Sequence, residues 1–331
     1  MSNKILITGG GGFIGLHLTN RLLDEGCEVH IVDNFTRAVK DKDLKNTLAR
    51  DKVSCSSINL LDKNSIKNMA KDYDVIFHLA AIIGVKNVLE QPYNVLYDNI
   101  RMLGNIIEFS RQQFNLSRLF FASTSEVYAG SLKYFDLPIP TPEGTPLAIT
   151  DLAHPRTSYM LSKIYGEALC QQSKIPFTVF RPHNIYGPRM GMAHVIPEQL
   201  RKIYNANDGD SIDVFSVNHT RCFCYIDDAI EMLWLMMKLP ECEGKTMNLG
   251  TQNPEVSIKK LVETCFFIAK KDLLINPMPD SSGSPVRRGP DMYTTSQLLN
   301  FESQFSLKEG IGSTYDWYQK NIFDGKGISA K

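Results

Sequence analysis

Near its start the chain passes from an apolar run, Lys4 to Ile7, through four consecutive glycines into an amphipathic stretch from Phe13 to Leu23. A strand that gives way to a helix this abruptly needs a tight reversal, and the spacing of Gly9, Gly12 and Gly15 gives each glycine a separate task. Gly9 permits the turn, Gly12 lets the backbone approach a pyrophosphate, and Gly15 lets the helix pack close to the strand. Free N–H groups in the opening turn of that helix, at Phe13, Ile14 and Gly15, and the positive end of its dipole suit phosphate oxygens. The pattern constrains this part of the chain to a βαβ unit that cradles a dinucleotide.

Two further strands agree with that reading. Cys27 to Val32 ends in Asp33-Asn34, where an acidic residue would meet an adenosine ribose. Asp33 would accept hydrogen bonds from the ribose hydroxyls and repel a 2′-phosphate, so NAD is expected rather than NADP; nearby Arg37 is the residue that pulls the other way. Asp74 to Ala81 reads as a buried parallel strand ending in Leu79, Ala80 and Ala81, small enough at its edge to leave room for a cofactor. Strands are expected at 4–7, 28–32, 53–58, 74–79, 118–122 and 176–180, with helices at 13–25, 63–71, 94–113 and 157–173. This alternation predicts an α/β fold, a Rossmann-like doubly wound parallel sheet covered on both faces. Residues 1–180 are assigned to the NAD-binding domain. Residues 181–331 are assigned to a smaller mixed α/β substrate lobe whose pieces interleave with it. The Pro-, Gly- and Thr-rich segment 129–156 is expected to be a loop over the site, and 280–285 another loop.

Composition removes other classes. The chain of 331 residues carries 36 basic and 36 acidic side chains, so nothing favours broad electrostatic binding to nucleic acid or membrane. No apolar stretch approaches the roughly 20 residues that span a bilayer. The first strand begins at once, which is expected to leave no room for a signal peptide. Seven cysteines, scattered and lacking paired C-x-x-C spacing, point to reduced thiols, no metal site and a cytoplasmic protein.

The chemistry concentrates at two places. Tyr159 and Lys163 lie four residues apart on an expected helix and so share a face, about 5–6 Å apart at Cβ. An ammonium beside a phenol stabilises the phenolate, which predicts a lowered Tyr159 pKa. The strand 118–122 runs into Ser123-Thr124-Ser125-Glu126 at its C-terminal edge, where open α/β sheets hold ligands. Thr124 offers a hydroxyl to align a substrate alcohol with Tyr159, and Glu126 supplies a carboxylate base.

Taken in order, the motifs are Thr8-Gly-x-x-Gly12-x-x-Gly15, Asp33, His78-Leu-Ala-Ala81, Thr124 four residues before Tyr128, Tyr159-x-x-x-Lys163 and Arg181-Pro-x-Asn184-x-Tyr-Gly-Pro188. Together they resemble the extended short-chain dehydrogenase/reductases, specifically the nucleotide-sugar epimerase/dehydratase family, from residue 4 to about 295. The resemblance implies transient oxidation at C4 of a nucleotide-diphosphate sugar by bound NAD. Tyr159 would be the base, Thr124 the hydroxyl's partner, and Lys163 the residue that holds Tyr159 and the nicotinamide ribose. It implies substrate contacts from Ser125, Asn184, Arg221 and Arg288, adenine contacts from Asn59 and Leu60, a structural role for Asn99, and a homodimer. His154 and Arg156 would line the sugar pocket. Net 4-epimerisation, which needs only the Thr, Tyr and Lys, is placed first. Dehydration at C4 and C6, or UDP-glucuronate-type decarboxylation using Glu126, is the alternative, and a non-catalytic NAD-binding sensor or scaffold is the reading of another class.

Overall fold

The computed structural model describes residues 3–135, 137–280 and 285–325. Its first half lays down strands β1 (Lys4–Thr8), β2 (Glu28–Asp33), β3 (Val53–Ser57), β4 (Val75–His78), β5 (Arg118–Ala122) and β6 (Phe177–Pro182). Between them run α1 (Phe13–Asp24), α2 (Lys42–Leu48), α3 (Lys63–Lys67), α4 (Val85–Glu90), α5 (Pro92–Ser110), α6 (Ala129–Tyr134) and α7 (Thr157–Gln172). The second half adds β7 (Ile185–Tyr186), α8 (Val195–Asn205), β8 (Ser211–Phe215), β9 (Thr220–Cys222), β10 (Cys224–Tyr225), α9 (Ile226–Lys238) and β11 (Thr246–Leu249). It continues with β12 (Glu255–Ser257), α10 (Ile258–Ala269), β13 (Leu274–Met278), β14 (Arg287–Arg288), α11 (Tyr293–Leu299) and α12 (Leu307–Tyr318).

Among the described residues, seven strands form one sheet in the order β11-β6-β5-β4-β1-β2-β3, every pair parallel. Strand alternation sends neighbouring side chains to opposite faces. Ile5, Ile7, Ile31, Phe77 and Phe120 pack on one face with Leu18 and Leu22 of α1 and Leu233 of α9. Leu6, Val32, Ile76, Leu119 and Phe121 pack on the other with Leu103 and Ile106 of α5 and Cys170 of α7. With both faces covered, the strands read as continuous apolar runs, which is why they were legible in the sequence. The order reverses direction between β1 and β4, and in such sheets the crevice at the strands' C-terminal ends receives ligands. Among the described residues the second half builds three small sheets, β10-β7, β12-β9-β14 and β13-β8, of which β7 and β14 reach that crevice.

The structure departs from the expected elements in three places. The helix expected over 63–71 stops at Lys67, capped at Asn68. Two helices not anticipated, α2 and α4, follow β2 and β4; Asp41 caps α2 by accepting from the Leu44 N–H. The segment 129–156 is not all loop, because it opens with α6. The chain then returns over that helix so closely that a Cβ at Gly130 would overlap the Ala148 carbonyl, and Ser131 Oγ accepts from the Ala148 N–H at 2.9 Å. Of the loop expected at 280–285, residues 281–284 lie outside the described residues.

One buried ion pair joins the sheet to α7. Arg181, at the end of β6, donates from Nε and Nη2 to the two carboxylate oxygens of Glu167 at 2.9 and 2.6 Å, and from Nη1 to Tyr128 Oη at 2.6 Å. Ser123 Oγ donates to the same carboxylate at 2.5 Å. Arg181→Met would leave Glu167 buried without a counter-charge and is expected to cost about 3–5 kcal/mol of stability, measured by urea unfolding at neutral pH.

Candidate active site

A cavity of about 1100 Å³ opens along the C-terminal edge of the sheet, lined at one end by Gly9, Gly12, Phe13 and Asp33 and at the other by Thr124, Glu126, Tyr159 and Arg288. The glycine turn is shaped by close approaches. A Cβ on Gly9, whose φ is +71°, would lie 2.8 Å from the Ala80 nitrogen, and one on Gly15 would lie 2.6 Å from the Gly9 carbonyl oxygen. The turn is therefore pressed against the end of β4, and the start of α1 is pressed against the turn. Among the described residues no side chain caps α1, and the N–H groups of its first turn have no partner from within the helix. Asp33 organises the turn from β2: Oδ2 accepts from the Gly11 N–H at 3.1 Å and Oδ1 from the Phe35 N–H at 2.9 Å. Burial pushes the Asp33 carboxyl up, while those two bonds and the Arg189 charge pull it back. Asn34 Oδ1 accepts from the Thr36 N–H and hydroxyl, holding the loop after β2.

At the other end, α7 presents Tyr159 and Lys163 beside the Thr124–Glu126 turn that follows β5. Lys163 Nζ donates to the Ala122 carbonyl at 2.7 Å and lies 5.8 Å from the Tyr159 ring centre. Burial brings the Lys163 pKa down to about 8. Tyr159 corrects the expectation of a lowered phenol: burial pushes it up and Glu126 adds to this, outweighing a hydrogen bond with Thr124 and the charge of Arg37. The ammonium expected to do the lowering is directed at the Ala122 carbonyl. Glu126 pairs with Arg288 across the cavity, and Arg288 Nη2 also reaches Asn184 Oδ1 at 3.4 Å. The Arg288 charge holds the Glu126 carboxyl below its usual range, against the opposing effect of burial. Ser125, Leu60, Leu79, Ala80 and Ala81 also line the cavity.

Other residues marked in the sequence sit elsewhere. Asn59 is exposed and its Oδ1 accepts from the Leu61 N–H, outside the cavity lining. Arg221 is buried and donates to the carbonyls of Thr220, Val286 and Pro285 at 2.7 to 3.1 Å, also outside that lining. Asn99 bonds both the N–H and the carbonyl of Ile82, which steadies the segment after β4. His154 and Arg156 are exposed and do not line the cavity, whereas His194 does.

Residues 5–250 match the model of the NAD dependent epimerase/dehydratase family. The chain belongs to that family. A UDP-N-acetyl-α-D-glucosaminuronate decarboxylase of Bacillus cytotoxicus is 32% identical over 333 residues, covering 97% of this chain and 99% of the relative. A UDP-glucuronate 4-epimerase of Thermodesulfobacterium geofontis is 29% identical, covering 96% of each. Among solved structures, an epimerase from Methanothermobacter thermautotrophicus shares the fold, with a TM-score of 0.84 at 23% identity over 97% of this chain and 93% of that one.

Family membership makes this an NAD-dependent enzyme, and the residues fit the cofactor. Gly9 and Gly15 leave no room for a Cβ, α1 begins uncapped, and the Asp33 carboxylate stands at the end of β2. The cavity also exceeds the range of about 300–1,000 Å³ usual for one small ligand, so a dinucleotide and a second molecule can share it.

Two arginines in this family member were not assigned to the site from the sequence. Arg37 lines the cavity with Nη2 3.7 Å from the position a Cβ on Gly191 would take, next to His194. Its charge is felt at Tyr159, so it lies toward that end of the cavity. Arg189 packs beneath the glycine turn. The signal was its place after Gly187-Pro188, in a corner that fixes its direction. Because Arg288 is the chief cause of the low Glu126 pKa, Arg288→Gln is expected to raise it. The carboxylate then takes up its proton at higher pH, and the acidic limb of the kcat/KM–pH profile moves upward.

Proposed function

We propose that the chain acts on a nucleotide-diphosphate uronic acid and removes its C6 carboxylate as carbon dioxide after transient oxidation at C4. The observation that carries this reading is the Glu126–Arg288 pair in the cavity wall beside Thr124 and Tyr159. A plain 4-epimerase needs the Thr, Tyr and Lys alone, whereas a guanidinium at that place suits a carboxylate on the neighbouring carbon. The decarboxylase of Bacillus cytotoxicus, 32% identical along nearly the whole of both chains, supports the same substrate class.

NAD, when bound, supplies the reversible oxidation at C4. Gly9, Gly12, Phe13, Ile14 and Gly15 would hold its diphosphate and Asp33 its adenosine ribose, with Asn34, Leu60, Leu79, Ala80 and Ala81 around the rest. Tyr159 takes the O4 proton and Thr124 bonds the same oxygen. Lys163, fixed against the Ala122 carbonyl, would meet the nicotinamide ribose, while Thr124 and Arg37 oppose the cost of burying the phenolate. Arg288 receives the C6 carboxylate and shares itself between two anions, the substrate's and Glu126. With a ketone at C4, C6 is the carboxyl of a β-keto acid. The C5–C6 bond breaks, its electron pair passes toward C5 and O4, and Tyr159 and Thr124 face the enolate oxygen. Departure of carbon dioxide leaves Arg288 with one anion, which relieves the repulsion and favours the forward direction. C5 then regains a proton and the ketone is reduced.

Net 4-epimerisation of the same acid is the second reading, favoured by the 29% identical UDP-glucuronate 4-epimerase. Incubation with UDP-glucuronate, UDP-N-acetylglucosaminuronate and the neutral sugars in deuterated water distinguishes them by mass and proton NMR. A product that has lost carbon dioxide and carries deuterium at C5 is expected. An isomer of unchanged mass would establish epimerisation, and turnover of neutral sugars alone would remove the acid from the reading. Tyr159→Phe is expected to lower kcat by about 10²–10⁴-fold while leaving NAD binding intact; a variant of undiminished turnover would take the base away from Tyr159. Exposed Tyr93, Tyr97 and Tyr165 on the packed pair α5 and α7 support a homodimer through those helices, as against a monomer by sedimentation velocity.

A further inference from the structure

Arg189 is the best-bonded side chain at the cofactor end of the cavity, although it comes from the far side of the chain. Its Nη1 donates to the carbonyls of Gly11 and Gly12 at 2.9 and 3.1 Å. Nη2 donates to the Val39 carbonyl at 2.9 Å, and Nε to Asp41 Oδ2 at 2.6 Å. The other oxygen of Asp41 caps α2 by accepting from the Leu44 N–H. One guanidinium thus gathers the glycine turn, the loop after β2 and the corner after β7. That corner is itself tied to α1, since Pro188 O lies 3.1 Å from His17 Nε2. The side chain is 7% exposed, and its backbone sits at φ +69°, in the left-handed region that a residue other than glycine enters at a cost.

The direction of these bonds matters. In a trans peptide the carbonyl and the next N–H point opposite ways. The Gly12 carbonyl, held from below by Arg189 and by the Leu16 N–H, therefore aims the Phe13 N–H toward the cavity. That N–H is one of the uncapped donors of α1. We infer that Arg189 is a positioning residue for the cofactor: the second lobe reaches under the glycine turn and fixes the donors that meet the dinucleotide's diphosphate. The inference rests on the NAD seat proposed above.

The test is NAD binding by titration calorimetry, set beside thermal unfolding of the NAD-free protein. Arg189→Gly removes the guanidinium and suits the backbone at φ +69°, so its folding is favoured. Its dissociation constant for NAD is expected to rise about tenfold or more, the loss of charge-assisted hydrogen bonds. Arg189→Lys keeps a cation but, with its donors on one atom, cannot span the four acceptors, so it should fall between wild type and the glycine variant; it also serves if the glycine variant does not fold. Unchanged NAD affinity in these variants, whatever happens to the melting temperature, overturns the inference while leaving the seat. A wild-type chain that binds no NAD overturns the seat and the clamp together.

Discussion

Glu167 sits one turn beyond Lys163 on α7, and it is bound to Arg181 of β6 and to Ser123 beyond β5. The register of α7 against two strands is set by that buried charge pair, and with it the height at which Tyr159 and Lys163 meet the sheet edge. Continuing outward, Arg181 bonds Tyr128, Tyr128 bonds Asn248 of β11, and Asn248 bonds the carbonyls of Thr141 and Asp291. A single polar chain runs from the helix that bears the phenol to the segments around Thr141 and Asp291. Such a network is costly if half satisfied, which binds the site's geometry to the stability of the fold.

The electrostatics of the site follow from the competition between burial and charge. Lys163 loses basicity by burial, Tyr159 loses acidity for the same reason, and Glu126 keeps its negative charge because Arg288 is beside it. Lys163, Arg288 and Arg37 line the cavity toward Tyr159, and Asp33 and Arg189 line it toward the glycine turn.

Local pattern made the sheet, and the side chains gathered at its edge by Thr124 and Tyr159, legible. The apolar strands β1, β4 and β5, the glycine spacing and the four-residue interval between Tyr159 and Lys163 all express periodicities that survive in a single sequence. What stayed hidden depends on contacts between distant segments. Arg221 looked like a phosphate ligand, yet its guanidinium is taken up by carbonyls of β9 and of 285–286. The phenol was expected to be lowered by its neighbour on the helix, but the spacing could not reveal how deeply Tyr159 is buried or that Lys163 turns to Ala122. The helix α6 escaped notice because what holds it is the return of residues 146–148, far along a proline-rich stretch.

β11 carries a consequence for how the chain is assembled. It comes from residues 246–249, long after the glycine turn, yet it lies beside β6 with Val179 opposite Thr246 and Phe180 opposite Met247. A polypeptide ending near residue 180 would leave β6 as a bare edge, its amide and carbonyl row open to any other strand in solution. The late segment is thus a sealing strip as well as part of a lobe. A nascent chain would stay adhesive until that strip had been made, which ties the solubility of the early half to synthesis of the later one.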